Sequence, residues 1–145
     1  MVRTFTIRLP RIPHENPCQP GIRLACIPTM SKGLAILTSG GDSAGMNPAV
    51  KCAVEYATQR GYETHLVYDG LRGLLEDNIV PATRELVSGL LHRGGTLLRS
   101  SRSPQFYELE HRRRAYENLQ RRGIGNLVVI GGDGSFRALN QFYSD

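Results

Sequence analysis

Leu34-Ala35-Ile36-Leu37-Thr38-Ser39-Gly40-Gly41-Asp42-Ser43-Ala44-Gly45-Met46-Asn47-Pro48 is the stretch on which the fold turns. A short continuous apolar run suits a strand buried on both faces. It passes into glycines around an acid, then into a helix start: Asn47 can serve as N-cap, and Pro48 suits the first helical position. The pattern recurs at Leu127-Val128-Val129-Ile130-Gly131-Gly132-Asp133-Gly134-Ser135. Strand, glycine turn, helix is a layout that brings backbone N–H groups and a helix N-terminus up to an anion, most often a phosphate. Asp133 would repel that phosphate unless a divalent cation bridged them, so its position points to a metal.

The intervening chain alternates in the same way. Met46, Ala49, Val50, Ala53, Val54 and Ala57 recur at helical spacing, and Gly61 ends the stripe. His65 to Tyr68 reads as a strand and Asp69-Gly70 as a turn. Leu86, Leu90 and Leu91 mark a short helix closed by Gly94-Gly95, and 95–104 reads as a loop. Glu108 to Arg122 is a third helix, with Leu109, Tyr116 and Leu119 as its apolar face and Gly123 after its end. Its acids and arginines stand at i,i+4, so the run Arg112-Arg113-Arg114 reads as a solvent face. A further helix opens at Ser135 and runs through Phe136, Leu139 and Phe142. Alternating strands and helices predict an α/β, Rossmann-like parallel sheet flanked by helices, forming part of a domain. Ligands of such sheets bind beyond the carboxyl ends of the strands, where both glycine turns lie.

Composition narrows the classes. The chain has 145 residues, 40% of them hydrophobic and 21% charged, as a globular domain with a real core requires. No apolar stretch approaches the ~20 residues that cross a bilayer, so no membrane partner is expected. The net charge of +5 is uneven: residues 1–32 carry +4, with Glu15 their one acid, and the remainder carries +1. A nearly neutral folded part without a recognition motif argues against nucleic acid. Cys18, Cys26 and Cys52 form no CxxC pair, and the count is odd, so neither a disulfide framework nor a zinc site is indicated. Reduced thiols fit the cytoplasm. Cys52 reads as a small buried helix residue. His14, His65, His92 and His111 have no ligand spacing. There is no Walker loop.

Residues 1–32 differ from the rest. Pro10, Pro13, Pro17, Pro20 and Pro28 block helix and ladder alike, so this extension reads as disordered, and residues 1–29 as dispensable. A transit peptide and a true start at Met30 are alternative readings.

Arg93, Arg99 and Arg102 interleave with Gly94-Gly95-Thr96 and Ser100-Ser101, donors suited to phosphate. At this point the sequence meets a family. Leu37 to Asp42 with Gly45-Met46-Asn47 resembles the opening of 6-phosphofructokinases. So do Tyr68-Asp69-Gly70 with Gly73-Leu74, then Arg93-Gly94-Gly95-Thr96 with Ser100-Ser101-Arg102. Val128 to Ser135 is similar to the family's nucleotide motif. The resemblance covers 33–145 and keeps order and spacing.

It implies Mg²⁺-assisted phosphoryl transfer from ATP to the 1-hydroxyl of fructose 6-phosphate, in glycolysis, by a cytoplasmic homo-oligomer, a tetramer by resemblance. Carried over by position, Gly41 offers its N–H to the ATP phosphates. Arg102 lies beside the transferring group, with Ser103 near the nucleotide. Gly132, Asp133, Gly134 and Ser135 hold phosphates, with Asp133 facing Mg²⁺. Ser43-Ala44, Lys51, Leu71 and Ser103 depart from common family residues. Relatives often carry Arg at the position of Lys51, where an allosteric nucleotide binds. The family's Thr-Ile-Asp-Asn-Asp motif, which supplies the catalytic base, does not occur here. The resemblance therefore implies the first part of a nucleotide domain, inactive by itself. Two other readings stay open: a non-catalytic nucleotide-binding fragment, and a lipid- or NAD-kinase-type enzyme sharing the Gly-Gly-Asp-Gly turn.

Overall fold

The computed structural model describes residues 3–9, 32–101 and 103–144. Its strands are β1 (Arg3–Arg8), β2 (Gly33–Thr38), β3 (Glu63–Val67), β4 (Ile79–Pro81) and β5 (Ile124–Gly131). Its helices are α1 (Met46–Gln59), α2 (Gly70–Leu75), α3 (Arg84–Val87), α4 (Leu109–Arg121) and α5 (Asp133–Ser144), with 3₁₀ turns at Leu90–His92 and Pro104–Tyr107.

The five strands form one sheet in the order β1-β5-β2-β3-β4. Its centre, β5-β2-β3, is parallel, as the alternating pattern predicts, and both edges are antiparallel. Strand alternation sorts the core onto two faces. Ala35, Leu37, Val67, Leu127 and Val129 pack with α2, α4 and α5. Leu34, Ile36, Leu66, Val128 and Ile130 pack with α1, α3 and the turn at Leu90. Helices therefore cover both faces, which is why β2 and β5 read as unbroken apolar runs rather than alternating ones.

The N-terminal segment departs from the expectation of disorder. Arg3–Arg8 pair with β5 from Arg3↔Gly131 to Arg8↔Asn126, and Leu9 is buried at 5% exposure. Thr4, Phe5, Thr6 and Ile7 are strand formers that the nearby prolines overshadowed, and the unpaired edge of β5 recruits them. Residues 10–31, with the proline-rich stretch, Cys18, Cys26 and Met30, lie outside the described residues.

Several local readings change. The helix expected around Leu86–Leu91 is split into α3 and a 3₁₀ turn, because Gly89 between them is left-handed at φ 71°. α2 and β4 have no period of their own long enough to read. α4 buries Arg112, Ala115, Asn118 and Leu119, while Leu109 is exposed. Arg112 is thus not on the solvent face, although Arg113 and Arg114 are. Its Nη1 donates to the carbonyls of Phe106 and Tyr107, at 3.3 and 2.6 Å. Asn118 Nδ2 donates to those of Leu74 and Leu75, at 2.8 and 3.2 Å. Short helical pieces leave most of their carbonyls without intrahelical partners, and these two polar side chains satisfy them. Cys52 is exposed rather than buried, since the buried stripe of α1 runs through Met46, Val50, Val54 and Ala57.

Candidate phosphate site

The register of the two central strands builds the site. β2 and β5 run parallel, with Thr38 opposite Ile130, so the turns that follow them lie side by side. From β2 the chain leaves to β3 on one side through α1. β5 joins β2 on the other side, with α4 on the opposite face. The crevice between the two carboxyl ends is therefore a switch point, the place where α/β sheets hold ligands.

The turns are tied together. Ser135 Oγ donates to Ser39 Oγ at 2.9 Å, buried, and the Ser39 N–H donates to the Ile130 carbonyl at 2.9 Å. Two glycines are required by the backbone itself. Gly40 has φ 92°, and a Cβ on Gly131 would come within 2.6 Å of the Ser39 carbonyl oxygen. Gly41, Gly132 and Gly134 are different. None has a left-handed φ, and a Cβ on each would meet nothing within 4 Å. The fold does not demand glycine at these positions; they leave bare backbone facing open space. Gly132 stands between β5 and α5, its carbonyl accepting from the N–H groups of Ser135 and Phe136 at 3.1 and 3.3 Å. The N-terminus of α5 thus lies beside the crevice, where a helix dipole favours an anion.

The loop 93–101 forms the third wall. Ser100 Oγ donates to the Gly40 carbonyl at 2.6 Å, and Thr38 Oγ1 donates to the Arg99 carbonyl at 2.9 Å. The Asp69 N–H donates to the Leu98 carbonyl at 2.8 Å. Arg99, left-handed at φ 58°, places Nη2 3.1 Å from Asp69 Oδ2. That arginine pairs with Asp69 while its side chain stays mostly exposed. Arg93 is exposed, Ser103 is half-buried ahead of the Pro104 turn, and Arg102 lies outside the described residues. Lys51 sits on α1, ion-paired to Glu55. Asn47, expected as N-cap, is not one. Gly45 holds that position without a side-chain bond, and the Asn47 amide turns to the 93–97 limb of the loop.

Asp133 occupies the first turn of α5 and is exposed. Among the described residues no group of three or more His, Cys, Asp and Glu side chains gathers. Such a donor set does not suit an all-protein metal cage. It does suit Mg²⁺, which binds through one or two carboxylates plus substrate phosphates. Among the same residues, no helix is long and apolar enough to cross a membrane.

The family model described as Phosphofructokinase matches residues 33–145. This chain belongs to the phosphofructokinase family. An ATP-dependent 6-phosphofructokinase of Wolinella succinogenes is 55% identical over 106 residues, covering 73% of this chain and 33% of the relative. One of Vibrio cholerae is 51% identical over 107 residues, covering 74% and 33%. The phosphofructokinase structure from Saccharomyces cerevisiae aligns with a TM-score of 0.72 at 42% identity, over 76% of this chain and 15% of that one. The T-state structure from Pichia pastoris aligns at 0.75 and 32%, over 92% and 15%. The chain thus spans about a third of the length of the curated phosphofructokinases it matches. The mixed five-stranded sheet between helices agrees with the α/β class expected from the sequence.

Proposed function

We propose that this chain supplies the nucleotide-phosphate part of an ATP-dependent 6-phosphofructokinase, which moves the terminal phosphoryl group of ATP to the 1-hydroxyl of fructose 6-phosphate. The observation that carries the reading is the parallel pairing of β2 and β5, with Ser39 and Ser135 bonded across it. Two glycine turns and a helix N-terminus then converge on one crevice.

Phosphoryl transfer asks for positioning and charge stabilisation more than for a covalent nucleophile. Gly41, Gly132 and Gly134 let the backbone approach phosphate oxygens and donate N–H groups to them. Ser135, in the first turn of α5, ties the second glycine turn to the first, and the N-terminus of α5 favours the negative charge. Asp133 would hold Mg²⁺ that arrives on the nucleotide, and the ion would neutralise charge on the phosphate oxygens. Arg102 and Ser103 complete the nucleotide side in this reading. Arg102 stabilises charge on the group in transfer, as a guanidinium can through its planar fork of donors. A side chain on residue 134 would fill space that the α-phosphate needs, which favours ATP over pyrophosphate as donor. The whole enzyme is read as a cytoplasmic homo-oligomer, with Lys51 at the position of an effector contact.

The test is calorimetric titration of MgATP into this chain and into Asp133→Asn. The expected result is saturable binding by the wild type that depends on Mg²⁺, and loss of the Mg²⁺ dependence in the variant. No binding by a folded wild-type chain would overturn the reading.

A further inference from the structure

We infer that Asn47 is a positioning residue: its amide clamps the 93–97 limb of the arginine loop onto the start of α1 and so shapes the wall of the phosphate crevice. The inference rests on the nucleotide reading above.

Asn47 is buried at 3% exposure. Its Nδ2 donates to the carbonyls of Arg93, at 2.9 Å, and Gly94, at 3.3 Å. Its Oδ1 accepts from the Leu97 N–H at 2.7 Å. One side chain thus satisfies three backbone groups of a loop that has no regular ladder there. The other anchors, Thr38, Asp69 and Ser100, all hold residues 96–100. Asn47 accounts for the preceding limb, where Gly95 is left-handed at φ 84° and an added Cβ would sit 3.4 Å from the Asp42 carboxylate. The clamp therefore sets Gly95 against Asp42 of the first glycine turn.

The chemistry of the amide is specific. It must donate on one side and accept on the other. Alanine removes both functions. Aspartate has the same shape, but ionised it can only accept, and it would face the carbonyls of Arg93 and Gly94. Protonated, it recovers an O–H donor together with a carbonyl acceptor. Burial against two carbonyls favours that neutral form.

The experiment uses this chain with three versions of residue 47: wild type, Asn47→Ala and Asn47→Asp. Amide hydrogen exchange at Leu97 reads the clamp, and MgATP titration reads its consequence. In Asn47→Ala, Leu97 should exchange at least about tenfold faster, and MgATP should bind about tenfold more weakly, on the scale of a lost buried hydrogen bond. Asn47→Asp should match Asn47→Ala at pH 8 and recover affinity relative to it as the pH falls towards about 5. That recovery separates positioning from general loss of structure, because a merely destabilised variant has no reason to improve in acid. Unchanged Leu97 exchange in Asn47→Ala would sink the clamp whether or not nucleotide binds. Faster exchange with unchanged MgATP affinity, in a wild-type chain that binds, would overturn the positioning role alone. A wild-type chain that does not bind MgATP would overturn the nucleotide reading instead, and the positioning role with it.

Discussion

Ser135 and Ser39, 96 residues apart in the chain, share a buried hydrogen bond of 2.9 Å that joins the two glycine turns. The Ser135 hydroxyl donates to the Ser39 oxygen, and both residues are buried. Removing one leaves its partner buried and unsatisfied, which costs about 1–3 kcal/mol. Ser135→Ala and Ser39→Ala should each lower unfolding free energy by roughly that amount in urea titration. The double variant should lose clearly less than the sum, because no orphaned hydroxyl remains. Additive losses would show that the bond does not couple the turns.

The glycines of the second turn should respond in opposite ways. A Cβ on Gly131 would press on the Ser39 carbonyl oxygen at 2.6 Å, so Gly131→Ala should destabilise the fold by about 1–3 kcal/mol, as forced overpacking does. Gly134 lies within α5 with open space around it, and alanine there should be neutral or stabilising by up to ~1 kcal/mol. The same Gly134→Ala should weaken MgATP binding, and Gly134→Asp should weaken it further by adding negative charge where the proposed site puts the α-phosphate. Thermal melts and calorimetry on the same samples decide the matter. Equal melting losses at 131 and 134 would contradict it.

Asp77 ties the end of α2 to the end of α4. Arg122 Nε and Nη2 donate to its two carboxylate oxygens at 2.7 and 3.0 Å. The hydrogen bond from Arg122 holds the Asp77 carboxyl below its ordinary value. A depressed carboxylate contributes stability above the unfolded-state pKa of about 4 and loses it as pH falls through the lower folded value. Asp77→Asn tolerates the left-handed φ of 59° at this position, so it isolates the charge. It should lose about 0.5–1 kcal/mol at pH 7, the range of a partly exposed pair, and nothing relative to wild type once the pH is well below 3. An equal deficit at both pH values would point to packing rather than charge.

β1 makes the N-terminal segment structural. Deleting residues 1–9 bares the edge of β5 and removes buried Leu9, whose burial alone is worth about 1.5–3 kcal/mol. The urea midpoint should fall accordingly, and a β5 edge left open should promote association at higher concentration. An unchanged midpoint would return the segment to the dispensable role that its neighbouring prolines suggest.

The sequence by itself carried the strand, turn and helix order, because a buried strand and a helix stripe each write their period into consecutive residues. Leu34 to Leu37, Leu127 to Ile130 and the stripe from Met46 to Ala57 stand where that periodicity puts them. It also carried the family, through turn residues at fixed spacing. Only the tertiary structure decided which strands are neighbours. The pairing of β2 with β5 involves residues some ninety positions apart, and no local pattern records it. That pairing separates glycines the backbone needs, Gly40 and Gly131, from those left facing open space, Gly41, Gly132 and Gly134. It also decided the tasks of the polar side chains. Asn47 and Arg112 read locally as a cap and as a solvent-facing helix residue, and Asn118 carries no local signal. In the fold they are buried because carbonyls of distant loops and short helices need donors, and a residue's letter does not say whose carbonyl it will meet.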